Sequence, residues 1–126
     1  MSGTVVLRED DPDLCNLVHE LLEEQDFEVH DVVGIGELVE VCSRRSPCVA
    51  LIDSTSPTEF DLWHLGPILA KLGVPAIAFT AHATARRQFE ANSNGYVGVV
   101  SKPFDADEFI TLVESICWEE HHAAAS

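Results

Sequence analysis

The chain predicts an α/β fold, a doubly wound five-stranded parallel sheet with five helices shared between its two faces. Two observations carry this. Short apolar runs alternate with amphipathic helical stretches along the chain, joined by short connections. The third run, residues 48–52, is almost continuously apolar, as expected of a central strand covered on both sides.

The first strand is expected over Gly3–Arg8, stopping before the acidic cluster Glu9-Asp10-Asp11. Pro12 suits the first turn of a helix and Asp11 its N-cap, and Leu14, Leu17, Val18, Leu21 and Leu22 then recur at helical spacing. A short strand follows at 27–30 and a helix at 36–44, where Leu38, Val39, Val41 and Cys42 form its apolar side. After the central strand come a helix over 61–72, Gly73, and a fourth strand over 74–79. The helix at 84–92 carries Arg86 and Arg87 on its exposed face. The last strand is expected at 96–100 and the last helix at 105–118, capped by Asp105. One domain over residues 1–120 is expected, with a short frayed tail at 121–126 and no repeat or linker.

Composition narrows the function. A hydrophobic fraction of 46% fits a packed globular core rather than disorder. A net charge of −15 argues against nucleic acid, whose phosphates need a basic footprint, and against an anionic membrane surface. No stretch is apolar and long enough to span a bilayer and no secretory signal opens the chain, so a cytoplasmic location is expected. Cys15, Cys42, Cys48 and Cys117 form no C-x-x-C pair and no zinc spacing. They are expected to be reduced and structural. His19, His30 and His64 read as isolated surface or packing residues.

Chemistry concentrates at the strand ends. Glu9 and Asp10 follow the first strand, Asp53 the third, Thr80 the fourth and Lys102 the fifth. In an open parallel sheet these carboxyl ends share one edge, where ligands bind. Clustered carboxylates stay ionised only with a cation among them, and an all-oxygen set suits Mg2+. Asp53, ionised and positioned, is a candidate nucleophile toward phosphorus; Lys102 and the Thr80 hydroxyl are candidate partners for phosphoryl oxygens.

These residues, in this order, resemble the receiver domain of two-component response regulators. The resemblance runs from about Thr4 to Trp118. It rests on Leu7-Arg8-Glu9-Asp10-Asp11-Pro12-Asp13, on Leu51-Ile52-Asp53 with Pro57 four residues on, on Thr80-Ala81, and on Ser101-Lys102-Pro103-Phe104. It implies a flavodoxin-like sheet of order 2-1-3-4-5. It further implies Mg2+ held by Glu9, Asp10, Asp53 and the backbone carbonyl of Thr55. Asp53 would accept a phosphoryl group from a histidine kinase or phosphotransfer protein. Thr80 and Lys102 would then reposition onto it, and the output would pass by protein contact to an unknown downstream partner. The expected docking face is built from the fourth helix, the fourth and fifth strands and the last helix, with Arg86 and Arg87 as charged contacts. Thr55 and His82 occupy positions that tune phosphate lifetime in this family. Val99 stands at the output switch, where the family usually has Tyr or Phe; Arg8 replaces an apolar residue, and Phe60-Asp61 replaces a common glycine.

The expected function is therefore a single-domain phosphoacceptor of a two-component phosphorelay. It would not be an enzyme, though slow autodephosphorylation is compatible with it, and homodimerisation on phosphorylation is left open. The alternatives are a phosphate sink or shuttle, which Val99 favours, and a phosphorylation-independent docking module. A flavin protein is disfavoured by the carboxylates after the first strand, and an aspartate-based phosphatase by the missing D-x-D motif.

Overall fold

The computed structural model describes residues 3–53, 59–80 and 91–125. Five strands, β1 (Gly3–Arg8), β2 (Phe27–Asp31), β3 (Val49–Asp53), β4 (Ala76–Thr80) and β5 (Tyr96–Ser101), form one parallel sheet of order β2-β1-β3-β4-β5. The described helices are α1 (Pro12–Glu23), α2 (Ile35–Arg45), α3 (Glu59–Lys71) and α4 (Ala106–Ala125). The helix expected at 84–92 falls mostly outside the described residues; residues 91–93 are helical.

Alternation along each strand divides the core into two layers. Val6, Ala50, Ile52, Ala76 and Ala78 face one side, where Leu38 and Val41 of α2 and Leu65 and Leu69 of α3 cover them. Val5, Leu7, Val49, Leu51, Ile77 and Phe79 face the other, beneath Val18 and Leu22 of α1 and Phe109 and Val113 of α4. β3 and β4 are buried at every position, as their uninterrupted apolar runs require.

Helix starts follow their capping chemistry. The Asp11 carboxylate accepts from the Asp13 N–H at 3.0 Å, with Pro12 in the first turn. Asp105 accepts from the Glu108 N–H at 2.9 Å, as a cap of α4 does. Gly66 in α3 has a different reason: a Cβ there would lie 1.8 Å from the Asn94 carbonyl oxygen, so the turn before β5 closes on the helix only because no side chain intervenes.

Two expectations are corrected. α4 does not stop at Trp118 but continues to Ala125, because Glu119, Glu120 and the alanines are good helix formers with no glycine or proline to end the helix. The cysteines are not all reduced. Cys48, before β3, and Cys117, in α4, form a disulfide across 69 residues of sequence, and Cys15 and Cys42 are free. Packing α4 beside the start of β3 brings the two sulfurs together, which linear spacing does not reveal. Gly3 lines the bridge; a Cβ there would sit 3.1 Å from Cys48 Sγ. Among the described residues, no helix is long and apolar enough to cross a membrane.

Candidate phosphoacceptor site

Register brings the strand ends level. Arg8 pairs with Ile52, Asp53 with Phe79, and Thr80 with Ser101. Glu9, Asp53, Thr80 and Lys102 therefore emerge along one edge, and the Lys102 N–H extends the ladder by donating to the Thr80 carbonyl at 2.8 Å. The Lys102–Pro103 peptide bond is cis. Phe104 then packs against Phe79 and Phe109, with ring centroids 5.7 and 4.9 Å away, and this apolar anchor holds the lysine's segment on the sheet.

Asp53 is 1% exposed and Thr80 6%, the two buried polar residues among those described. Lys102 Nζ donates to Asp53 Oδ1 at 2.9 Å and to Glu9 Oε1 at 3.3 Å. Glu9 Oε1 also accepts from the Asp11 N–H at 3.2 Å. Glu9 Oε2 lies 3.2 Å from Nζ, but poorly aligned; it is buried and makes no hydrogen bond. Its attraction to the lysine is thus electrostatic only.

The ionisations follow from this crowding. Burial raises the Glu9 pKa, and Asp53 alongside adds to the rise, against the Asp11 N–H and Lys102. Burial works to lower Lys102, but Asp53 and Glu9 outweigh it and the lysine is held charged. Among the described residues, Lys102 bonds both Glu9 and Asp53 with Asp10 nearby, so carboxylates crowd this edge. Together with the orphaned Glu9 oxygen and the all-oxygen donor set, this is what a hard divalent cation would satisfy.

The structure gathers Glu9, Asp53, Thr80 and Lys102, whereas Asp10 is exposed beside them. Among the described residues, Glu9, Asp10 and Asp53 do not present three oxygens in one tight cluster. Val99 is half-buried against the α2 and α3 side of the sheet. Arg8 turns away from the acidic pair, its Nε donating to the Val33 carbonyl at 3.3 Å. Tyr96 opens β5 opposite Ala76, buried, with burial pushing its phenol well above the usual range. Thr55, Pro57, His82, Arg86 and Arg87 lie outside the described residues. Sequence reasoning places a lysine beside Asp53, as found, and a phosphate contact on Lys102, but misses the bond from Lys102 to Glu9. The placement of Lys102 after the strand beside β4 is the signal that could have shown it.

The chain is similar to known proteins in sequence and in fold. Residues 5–114 match the family described as Response regulator receiver domain. An uncharacterized 14.6 kDa protein of Leptolyngbya boryana is 29% identical over 90% of this chain and 88% of its own length. The probable transcriptional regulator ycf29 of Porphyra purpurea is 25% identical, and the nitrogen assimilation regulatory protein NtrX of Azorhizobium caulinodans 24%. The matches cover 95% and 90% of this chain but 59% and 26% of those proteins. Among solved structures, the signal receiver domain of a LuxO repressor protein from Vibrio parahaemolyticus superposes with a TM-score of 0.85 at 18% identity, covering 99% of this chain and 97% of that one. The Francisella response regulator 1452 receiver domain gives 0.81 at 23% identity, covering 93% and 98%.

Proposed function

The chain belongs to the response regulator receiver domain family, and from that premise we propose that it accepts a phosphoryl group on Asp53 and signals through protein contact. The observation that carries this reading is the buried Asp53 carboxylate held by Lys102 at 2.9 Å. A carboxylate so placed is paired with a cation, oriented and shielded from competing water.

In the transfer, an Asp53 carboxylate oxygen attacks phosphorus as the bond to the donor's histidine nitrogen breaks. The bonding pair stays with the imidazole. Lys102 offers Nζ to the oxygens of the incoming group, and its ties to Glu9 and Asp53 keep it charged and in place. Thr80 ends the neighbouring strand, and its hydroxyl would be the second donor. Glu9, Asp10, Asp53 and the Thr55 carbonyl would hold Mg2+, which when bound neutralises the charge of the phosphoryl group. The donor would be a histidine kinase or phosphotransfer protein. Residues 1–120 would form the functional domain, working as a single-domain regulator rather than an enzyme.

A second reading has its own support. Val99 has no ring to swing between buried and exposed positions, so a phosphate sink or shuttle needs no output face. Intact mass after incubation with acetyl phosphate, with and without Mg2+, tests the shared step. A single Mg2+-dependent phosphoryl adduct, absent in Asp53→Asn, is expected. A folded protein that takes up no phosphoryl group would leave only a docking module.

A further inference from the structure

Along the face of α1 that begins one turn after its Asp11 cap, three side chains of different chemistry meet. Cys15 and His19 are four residues apart in α1 and so share a face of the helix. Asp31 closes β2, the strand beneath that face. Cys15 Sγ donates to Asp31 Oδ1 at 3.4 Å, and His19 Nε2 lies 2.8 Å from both Asp31 oxygens. The sulfur, the ring nitrogen and a carboxylate oxygen all fall within 4.8 Å of one another. His19 is fixed from behind, with Nδ1 at 2.7 Å from Glu23 Oε1.

We propose that Cys15, His19 and Asp31 form a binding site for a transition-metal ion of the zinc class, with Glu23 orienting His19 and a fourth position open to solvent.

Ligand chemistry selects the class of ion. A thiolate and an imidazole favour zinc, cobalt or copper over magnesium, whose preference is for oxygen. A tetrahedral zinc site, with bonds of about 2.0–2.3 Å, spaces its ligand atoms roughly 3.3–3.7 Å apart, so the observed cluster needs only small adjustments. A carboxylate on the far nitrogen of a ligating histidine is the usual outer partner of such sites; it sets the ring's orientation and raises its basicity. Without metal, two donors converge on one carboxylate. A bound cation takes the place of their protons, which pass to solvent. The site is separate from the all-oxygen edge at Asp53, though Cys15 lies within the field of Glu9. Its effect would be to bolt α1, which begins beside the acidic residues, to the edge strand β2.

The test is titration of the full chain with Co2+ and Zn2+ in excess Mg2+, without reductant. We expect one equivalent of Co2+ to give a thiolate-to-cobalt charge-transfer band together with tetrahedral d–d absorption, both abolished by one equivalent of Zn2+. The charge-transfer band should vanish in Cys15→Ser. It should persist in Cys42→Ser, in Asp53→Asn and in the doubly substituted tail His121→Ala, His122→Ala. Glu23→Gln should weaken binding about 10–100-fold while retaining the band, as loss of an outer-shell partner does. Circular dichroism would establish that each variant is folded, and the wild-type spectrum stands even where a variant is not. No binding, or binding without a thiolate band, would overturn the proposal and leave a hydrogen-bonded network joining α1 to β2. Binding lost with the tail histidines would assign the metal to them instead, with the same consequence.

Discussion

Replacing Lys102 with methionine keeps most of the aliphatic stem and deletes the charge between Asp53 and Glu9. The side chains of both carboxylates are 1% exposed, so water cannot take over the lysine's role. At an effective dielectric constant of 20, two unit charges about 3 Å apart attract by about 5 kcal/mol, most of which desolvation offsets. Stranding one member of a buried pair typically costs about 3–5 kcal/mol. Lys102 is itself 19% exposed and partly screened, so a loss of about 2–3 kcal/mol is expected for the metal-free protein at neutral pH. Urea unfolding in the presence of a chelator, with an unchanged m-value, measures it. The pH profile adds a second check. The lysine's folded pKa is raised above 10.5, so its contribution is fully present below the unfolded value. It should fade as pH climbs through the folded pKa, and the gap between wild type and variant should close there. On the acid side the gap should narrow as Glu9, whose pKa is raised, takes up a proton. A loss under about 0.5 kcal/mol would place Lys102 with ordinary surface ion pairs and refute the reasoning.

Other perturbations probe the scaffold. Gly66→Ala puts a methyl 1.8 Å from the Asn94 carbonyl oxygen and 2.9 Å from the Tyr96 ring, and should cost about 3 kcal/mol or more in urea unfolding; a cost below about 1 kcal/mol would contradict the tight closure. Asp105→Ala removes the α4 cap and should cost about 1 kcal/mol by the same assay, whereas Asp105→Asn should cost much less. Thiol titration in denaturant should count two groups without reductant and four after reduction, and reducing the bridge, which closes a loop of 69 residues, should cost about 4 kcal/mol. In the folded protein burial pushes the Cys42 thiol up to about 11 from 9.0, so alkylation there should run roughly 100-fold slower than at an ordinary thiol, one unit being tenfold; rapid labelling would show that α2 opens readily.

The strands and most helix ends were legible because their signals are local. The acidic cluster stops β1, Asp11 and Asp105 cap their helices with their own side chains, and the unbroken apolar run of β3 can only be buried on both faces. Glu9, Asp53, Thr80 and Lys102 were legible for a related reason: in a parallel sheet, every residue just past a strand's end shares one edge, whatever its distance in sequence. The continuation of α4 to Ala125 was missed because a polar and alanine-rich end carries no packing pattern, although its helix propensity is high.

The amino-acid sequence by itself determined the alternation of strands and helices, the carboxylates and lysine gathered at the strand ends, and the family they mark. Tertiary structure alone decided what those groups do to one another. It set Lys102 between Asp53 and Glu9 and left Glu9 Oε2 without a hydrogen bond. It closed Cys48 onto Cys117, and it laid Asp31 beneath Cys15 and His19. The physical reason is the range of the interactions. Propensity, capping and apolar periodicity act over a few residues. Ion pairs, disulfides and ligand clusters depend on distances of a few ångströms between residues far apart in the chain, and strand order and helix packing set those distances.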